Sequence, residues 1–243
     1  HFREMGVLPE ALMNYLALLG WAPTGGQRET FTAAELIKEF QLERVTASPA
    51  VFDMEKLSWL NRHYIKLSSI DRLVQLAIPY FRNNGLLPYD EELGPPTLQW
   101  LGQLVGLFAP AVDRLEQLPE RSALVFHYDA LAAISSEENR ALLNSESGRK
   151  VVAAFSAKIE ELAQRNGSIT TEHFKQVMNA VKQETGAKGK ELFHPVRIML
   201  TGSHSGPEFD RLVPIIENGS KLSLPTHVMS VHQRVRAFLA ARG

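Results

Sequence analysis

Apolar residues recur at three- and four-residue spacing along most of this chain, and no convincing run alternates as a strand would, so the pattern is that of helices. Pro9 suits a first helical position, where its missing amide hydrogen costs nothing. Leu12, Tyr15, Leu16 and Leu19 then form a stripe that Gly20 can end. After a loop at Thr24-Gly25-Gly26, Thr32 and Glu35 have capping-box spacing, which predicts a helix to about Phe40. Asp53 is placed to cap the next helix, on which Met54, Leu57, Leu60 and Tyr64 share one face. The opposite face carries Lys56, Asn61, Arg62, His63 and Lys66, with Trp59 on the flank. Such a face can hold a phosphate backbone beside an aromatic ring; the plainer reading is a solvated basic face with a half-buried tryptophan.

Ser69 can cap a further helix to Phe81, which Pro79 should kink or interrupt. Asn83-Asn84-Gly85 ends it, and a Pro- and Gly-rich connection runs from Leu87 to Pro96. Helical spacing resumes at Leu98, Leu101, Leu104 and Val105, and Pro110 and Pro119 punctuate short helices after it. Ser136-Glu137-Glu138-Asn139 reads as a helix start. Longer helices are expected at 149–164 and at 172–184, the second capped by Thr170 or Thr171 and ended by Gly186. Three short helices should open at Pro195, Pro207 and Pro225. A few residues of antiparallel pairing near Thr30-Phe31 or Val45-Thr46 are compatible with the pattern, and no repeat of constant period is present. The expectation is a mainly α chain of successive helical bundles.

Composition narrows the classes. A chain of 243 residues holds one large domain or a few small ones. No apolar run approaches the ~20 residues a membrane span needs, no signal peptide is visible, and the absence of cysteine excludes disulfides and thiol catalysis. A cytoplasmic protein that makes no membrane contact is expected. The chain opens at His1-Phe2-Arg3-Glu4 and not at methionine, as expected of a fragment or processed product. The net charge of -1 argues against a strongly basic nucleic-acid binder, yet from Lys188 onward Lys and Arg outnumber Asp and Glu two to one. That permits contact with a polyanion without demanding it.

Candidate chemistry is sparse. No two histidines stand at i, i+4 beside a third ligand, so no metal site is expected. Ser203-His204-Ser205 lacks an acidic partner and adjacent side chains rarely face each other, which makes it a polar loop. Gly186-Ala187-Lys188-Gly189-Lys190 has the wrong spacing for a phosphate-binding loop, and Glu191 stands where a hydroxyl should coordinate magnesium.

Three stretches, in order and at matching separation, resemble bacterial glutamyl-tRNA synthetases. They are Met5–Leu16 (MGVLPEALMNYL), Phe52–Asn61 (FDMEKLSWLN) and Pro195–Gly202 (PVRIMLTG). The resemblance implies the half of such an enzyme that follows its ATP-binding loop: a stem-contact region (1–72) and two all-helical anticodon-binding domains (73–131 and 132–243) in an elongated arrangement. The two adenylation signatures of class I synthetases, His-x-Gly-His and Lys-Met-Ser-Lys-Arg, are missing. Lys66-Leu67-Ser68-Ser69-Ile70 is the nearest approach and lacks the second cation. No catalytic residue and no cofactor is therefore expected here, ATP and Mg2+ belonging to the full-length enzyme, and this portion alone should be inactive.

What the resemblance implies for binding is tRNA, tRNA(Glu) first, with the enzyme's own N-terminal catalytic domain as neighbour and a monomer as the state. Lys56 and Trp59 match positions that meet the D-stem region, and Arg62 extends that strip. Arg197, Thr201, Gly206, Pro207 and Phe209 match the region near the anticodon, whose unstacked bases are read by stacking and edge hydrogen bonds. Arg197 as an ordinary ion-pair partner, and Trp59 and Phe209 as plain core, are the alternatives. The family arginine that senses the third anticodon base falls at Ala111, which cannot hydrogen-bond a base, so tRNA(Gln) joins the expected partners. A second class of reading is a helical protein-interaction module or free-standing family remnant. It calls for an exposed apolar patch in place of the basic strip of Lys56, Arg62 and Arg197.

Overall fold

The computed structural model describes residues 1–26, 28–46, 51–166 and 168–243, Asn166 by its backbone alone. Its helices are α1 (Pro9–Leu18), α2 (Ala33–Glu39), α3 (Met54–Leu67), α4 (Ile70–Asn83), α5 (Pro95–Phe108), α6 (Leu118–Arg121) and α7 (Ala123–Phe126). The series continues with α8 (Ala130–Ser135), α9 (Glu137–Asn144), α10 (Glu146–Asn166), α11 (Thr171–Thr185), α12 (Lys190–Thr201), α13 (Phe209–Gly219) and α14 (Val231–Arg242). The only β pairing among the described residues is an isolated antiparallel bridge between Trp21 and Val45, so the expected pairing near Val45 is a single bridge. The chain is mainly α. It divides into two compact units, His1–Asn84 with Phe108–Arg121, and Gly85–Leu107 with Ser122–Gly243. The expected boundary after residue 72 falls inside α4, which lies whole in unit 1.

Unit 1 is built on the packing of α1 against α3. Leu8, Ala11 and Tyr15 meet a face of α3 on which Leu57, Leu60, Tyr64 and Ile65 are buried. Each large side chain buried there contributes about 1.5–3 kcal/mol. The start of α3 is fixed as expected: the Asp53 carboxylate accepts from the amides of Glu55 and Lys56 at 2.9 and 3.0 Å. The Thr32–Glu35 capping box is present too, and Trp21, Phe31 and Leu36 form a smaller aromatic core beside it.

Three expectations for unit 1 are corrected. The buried stripe of α1 is Ala11, Asn14 and Tyr15, and Leu16 is 54% exposed. Asn14 is taken inward because the backbone needs it: it accepts from the Phe31 amide and donates to the Glu29 carbonyl. Asn61 belongs to the core and not to the polar face. Its side chain accepts from the Leu8 amide at 2.7 Å and donates to the carbonyls of Gly6 and Asp113 at 3.1 and 2.6 Å. One amide thus ties three chain segments together. Gly6 itself, at φ +77°, admits no side chain, because a Cβ there would stand 2.5 Å from the Leu115 nitrogen. Finally, Pro79 does not interrupt α4, which runs on to Asn83.

Unit 2 packs α10 against α11, α12 and α14, with α8 across α14. Val151, Phe155 and Ile159 give α10 its buried face, and Val196, Met199 and Leu200 line α12. Thr170 caps α11, and Gly186 ends it at φ +71°. Proline placement misleads here. α12 begins five residues before Pro195, after Gly189, and α14 begins after Ser230, whose hydroxyl and Gln233 make a capping box, not at Pro225. Pro207 does precede α13, whose first residue is Phe209. The helix α8, capped by Asp129, carries no apolar stripe long enough to announce it. Arg234 is fully buried, and its guanidinium donates to the carbonyls of Leu124, Val125, Leu200 and Met229.

Candidate nucleic-acid interface

In unit 1, α3 presents Lys56, Trp59 and Arg62 at three-residue intervals on its outer side, so one helix brings the three expected contact residues together. Trp59 is 47% exposed. It lines a shallow cavity of about 300 Å3 with Met54, Ser58, Arg62, Asp113 and Arg114. The indole is a half-open platform rather than core. Both cations are already engaged. Lys56 Nζ donates to Glu29 Oε1 at 2.6 Å, and Arg62 Nε donates to the Asp113 carboxylate, which holds the guanidinium pKa above its ordinary value. These pairs are largely exposed, so each is weak. A phosphate would compete with a carboxylate for each cation.

Ala111 closes the 3-10 turn Ala109–Ala111, exposed and two residues before Asp113. It belongs to unit 1 with Trp59 and Arg62, whereas Arg197 belongs to unit 2.

In unit 2, Arg197 organises the loop between α12 and α13. One terminal nitrogen of its guanidinium donates to the Pro207 carbonyl, and Cζ lies 4.4 Å from the centroid of the Phe209 ring. Gly206 passes beneath the guanidinium: at φ +151°, a conformation side chains rarely adopt, its Cβ position would be 3.5 Å from the Arg197 nitrogen. Thr201 Oγ1 donates to the Arg197 carbonyl at 2.8 Å and accepts from the Ser203 amide at 3.3 Å. Buried Asn139 donates to the Gly202 carbonyl at 2.9 Å. Arg197, Thr201, Gly206, Pro207 and Phe209 are therefore one assembly.

Phe209 takes the role of floor. At 7% exposure, with Phe174 and Phe193 rings 5.1 and 6.3 Å from its centroid and Arg197 over its face, it has no face open to a base. Burial lowers the Arg197 pKa, and no carboxylate pairs with it among the described residues. The free edge of its planar fork is the available donor set.

Sequence reasoning missed His194. It stands one turn before Arg197 on α12, and the loop brings His204 to it with ring centroids 5.4 Å apart. The i, i+3 spacing to Arg197 was the available signal; the partner ten residues on was not. Among the described residues no group of His, Asp or Glu is placed to hold a metal ion, and no helix is long and apolar enough to cross a membrane.

The model of a family described as "Anticodon binding domain" matches residues 72–220. One described as "tRNA synthetases class I (E and Q), catalytic domain" matches residues 1–59. A glutamate–tRNA ligase of Desulforamulus reducens is 37% identical over 215 residues, which cover 88% of this chain and 43% of that protein. The corresponding protein of Bacillus subtilis is 36% identical over 215 residues, covering 88% and 42%. The chain thus spans less than half the length of these curated relatives. A glutamate tRNA ligase from Elizabethkingia meningosepticum, crystallised in complex with its amino acid, shares the fold: TM-score 0.69 at 22% identity, over 99% of this chain and 42% of that one.

Proposed function

The chain belongs to the anticodon-binding-domain family, and from that premise we propose that it is the tRNA-holding portion of a glutamate–tRNA ligase. In this reading unit 2 takes the anticodon loop at Arg197, Pro207 and the backbone around Gly206. Unit 1 lays Lys56, Trp59 and Arg62 along a stem. The whole enzyme joins glutamate to tRNA(Glu) with ATP and Mg2+, and both are handled by a catalytic part to which residues 1–59 are the neighbouring end. What these units add is remote binding energy, spent on orienting the acceptor end.

The observation that carries the reading is the Arg197 assembly. A half-buried guanidinium without a carboxylate partner is held with one edge on Pro207 and one face on Phe209. Partial desolvation without an ion pair costs the fold stability, and the arrangement is suited to presenting the remaining edge to an unstacked base or a phosphate. Ile37 and Leu42, 84% and 76% exposed within the stretch that matches the catalytic-domain model, supply the face toward the catalytic part. The protein acts as a cytoplasmic monomer.

Filter binding at low salt tests this. Retention of tRNA(Glu) well above that of an unrelated tRNA, falling steeply with salt, is the expected result. Equal retention of the two overturns the specific reading. The chain alone should show no ATP–pyrophosphate exchange.

A further inference from the structure

The loop after α12 folds back so that His204 faces His194, ring centroids 5.4 Å apart and planes inclined at 53°. His194 shares its face of α12 with Arg197, one turn away. Two imidazoles beside a half-buried guanidinium are a poor arrangement for a protein at rest, since protonating either ring adds like charge to the cluster. The pKa of His194 lies below the ordinary imidazole value. Burial is the main cause, followed by the positive charges of His204, Lys190 and Arg197, with Glu138 alone acting in the opposite direction. Glu138 on α9 approaches His204 Nε2 at 3.5 Å, but its side chain is two-thirds exposed, so it neutralises the cluster weakly. The other helices packed on α12, namely α8, α10 and α14, add no charged group to those acting on His194.

We propose that His194 and His204 form a phosphate-binding subsite that holds the RNA backbone next to the nucleotide taken by Arg197, and that it tightens on protonation. The proposal rests on the RNA-binding reading above and adds to it a second contact with its own control. A neutral imidazole offers one N–H donor; an imidazolium offers two and a charge. A phosphate bridging one N–H of each ring turns their mutual repulsion into two charge-assisted hydrogen bonds. The linkage follows. Without RNA, His194 resists protonation as pH falls below 6.5. With a phosphate in place its affinity for the proton rises, so RNA binding and proton uptake favour each other. Phosphate carries no base identity, so this subsite contributes grip and register rather than choice of tRNA.

The test is tRNA(Glu) binding by the whole chain at pH 6.0 and 8.0 at fixed ionic strength. The expected result is affinity about fivefold tighter at pH 6.0. In the double variant His194→Gln, His204→Gln the ratio should approach 1, the larger loss of affinity falling at pH 6.0. Arg197→Lys should lose affinity at both pH values and keep the ratio. Proton NMR of the ring hydrogens supplies a readout independent of affinity: His194 should titrate at higher pH in the complex than in the free protein. Binding that is equally tight at both pH values overturns this subsite and leaves the RNA reading standing. A ratio that survives in the double variant overturns it as well, assigning the effect to the other histidines. No binding at either pH overturns both.

Discussion

The guanidinium of Arg197 is stacked on the ring of Phe209, 4.4 Å from its centroid, while its edge is hydrogen-bonded to the carbonyl of Pro207. The stack and the hydrogen bond together leave the side chain one orientation, so the entropy of ordering an arginine is spent in folding and not in binding. Arg197→Ala should weaken tRNA(Glu) binding by about 10- to 100-fold, the range for one well-placed arginine contact. Arg197→Lys should recover little, since an ammonium neither stacks nor forks. Phe209→Leu should weaken binding several-fold at a residue that no base can reach. Fluorescence anisotropy measures all three, and wild-type affinity in Phe209→Leu would refute the claim that the ring presents the arginine.

Lys56 is held by Glu29 at 2.6 Å. If Lys56 meets a phosphate, Glu29 is its competitor, and Glu29→Gln should tighten RNA binding at low salt while Lys56→Ala loosens it. The slope of log affinity against log salt should flatten by about 1 in Lys56→Ala. Unchanged slopes in both variants would remove Lys56 from the interface.

Asn61 satisfies the Leu8 amide and the carbonyls of Gly6 and Asp113 from within the core. Replacement by the nearly isosteric leucine strands all three, at about 1–3 kcal/mol for each group left without a partner. Asn61→Leu should therefore lower the melting temperature sharply, and it should loosen the segment that carries Asp113. Thermal denaturation followed by circular dichroism gives the size of the loss.

Arg234 does comparable work in unit 2, donating to four backbone carbonyls while fully buried. Its pKa is pushed down to about 10 by burial, a mark of how little water reaches it. Arg234→Met removes the charge and leaves the carbonyls unpaired, a loss of about 3–5 kcal/mol by analogy with broken buried polar networks. Chemical denaturation should register it as a lower midpoint.

Acid should loosen the α2 cap. The Glu35 carboxyl is held down to about 2 by its hydrogen bond from Arg28, and next by the Thr32 amide and hydroxyl. A carboxylate with a lowered folded pKa adds stability that is complete above 4.5 and is lost as pH falls toward 2. Hydrogen exchange over residues 33–39 should be slow at pH 6 and quicken, after correction for intrinsic rates, between pH 4 and pH 2. In Glu35→Gln that dependence should vanish.

Local hydrogen bonds were legible. Asp53, Thr32, Ser69 and Thr170 cap the helices their spacing announces, and Gly186 ends α11, because donor and acceptor lie within four residues. The face of a helix that turns inward was less legible. Leu16 looked like core and is exposed, Asn61 looked like surface and is buried, and Asn14, outside the expected stripe, is buried as well. Their burial answers orphan backbone groups 15 to 55 residues away, which no local periodicity encodes. Proline misled for a related reason: Pro195 sits inside α12, which starts after Gly189, and Pro225 lies ahead of α14, whose start is set by the Ser230–Gln233 capping box.

The sequence by itself determined that the chain is helical, where α1 to α4, α9 and α11 begin, and that Lys56, Trp59 and Arg62 share one side of α3, since each follows from spacing along a single helix. Only the tertiary structure decided that Lys56 and Arg62 are already paired with Glu29 and Asp113, that Phe209 is a floor beneath Arg197, and that His204 returns to His194. Those relationships join residues that are distant in sequence or are turned toward each other by a loop. They are set by the chain's need to satisfy buried polar groups and fill its core, which acts on the folded molecule as a whole.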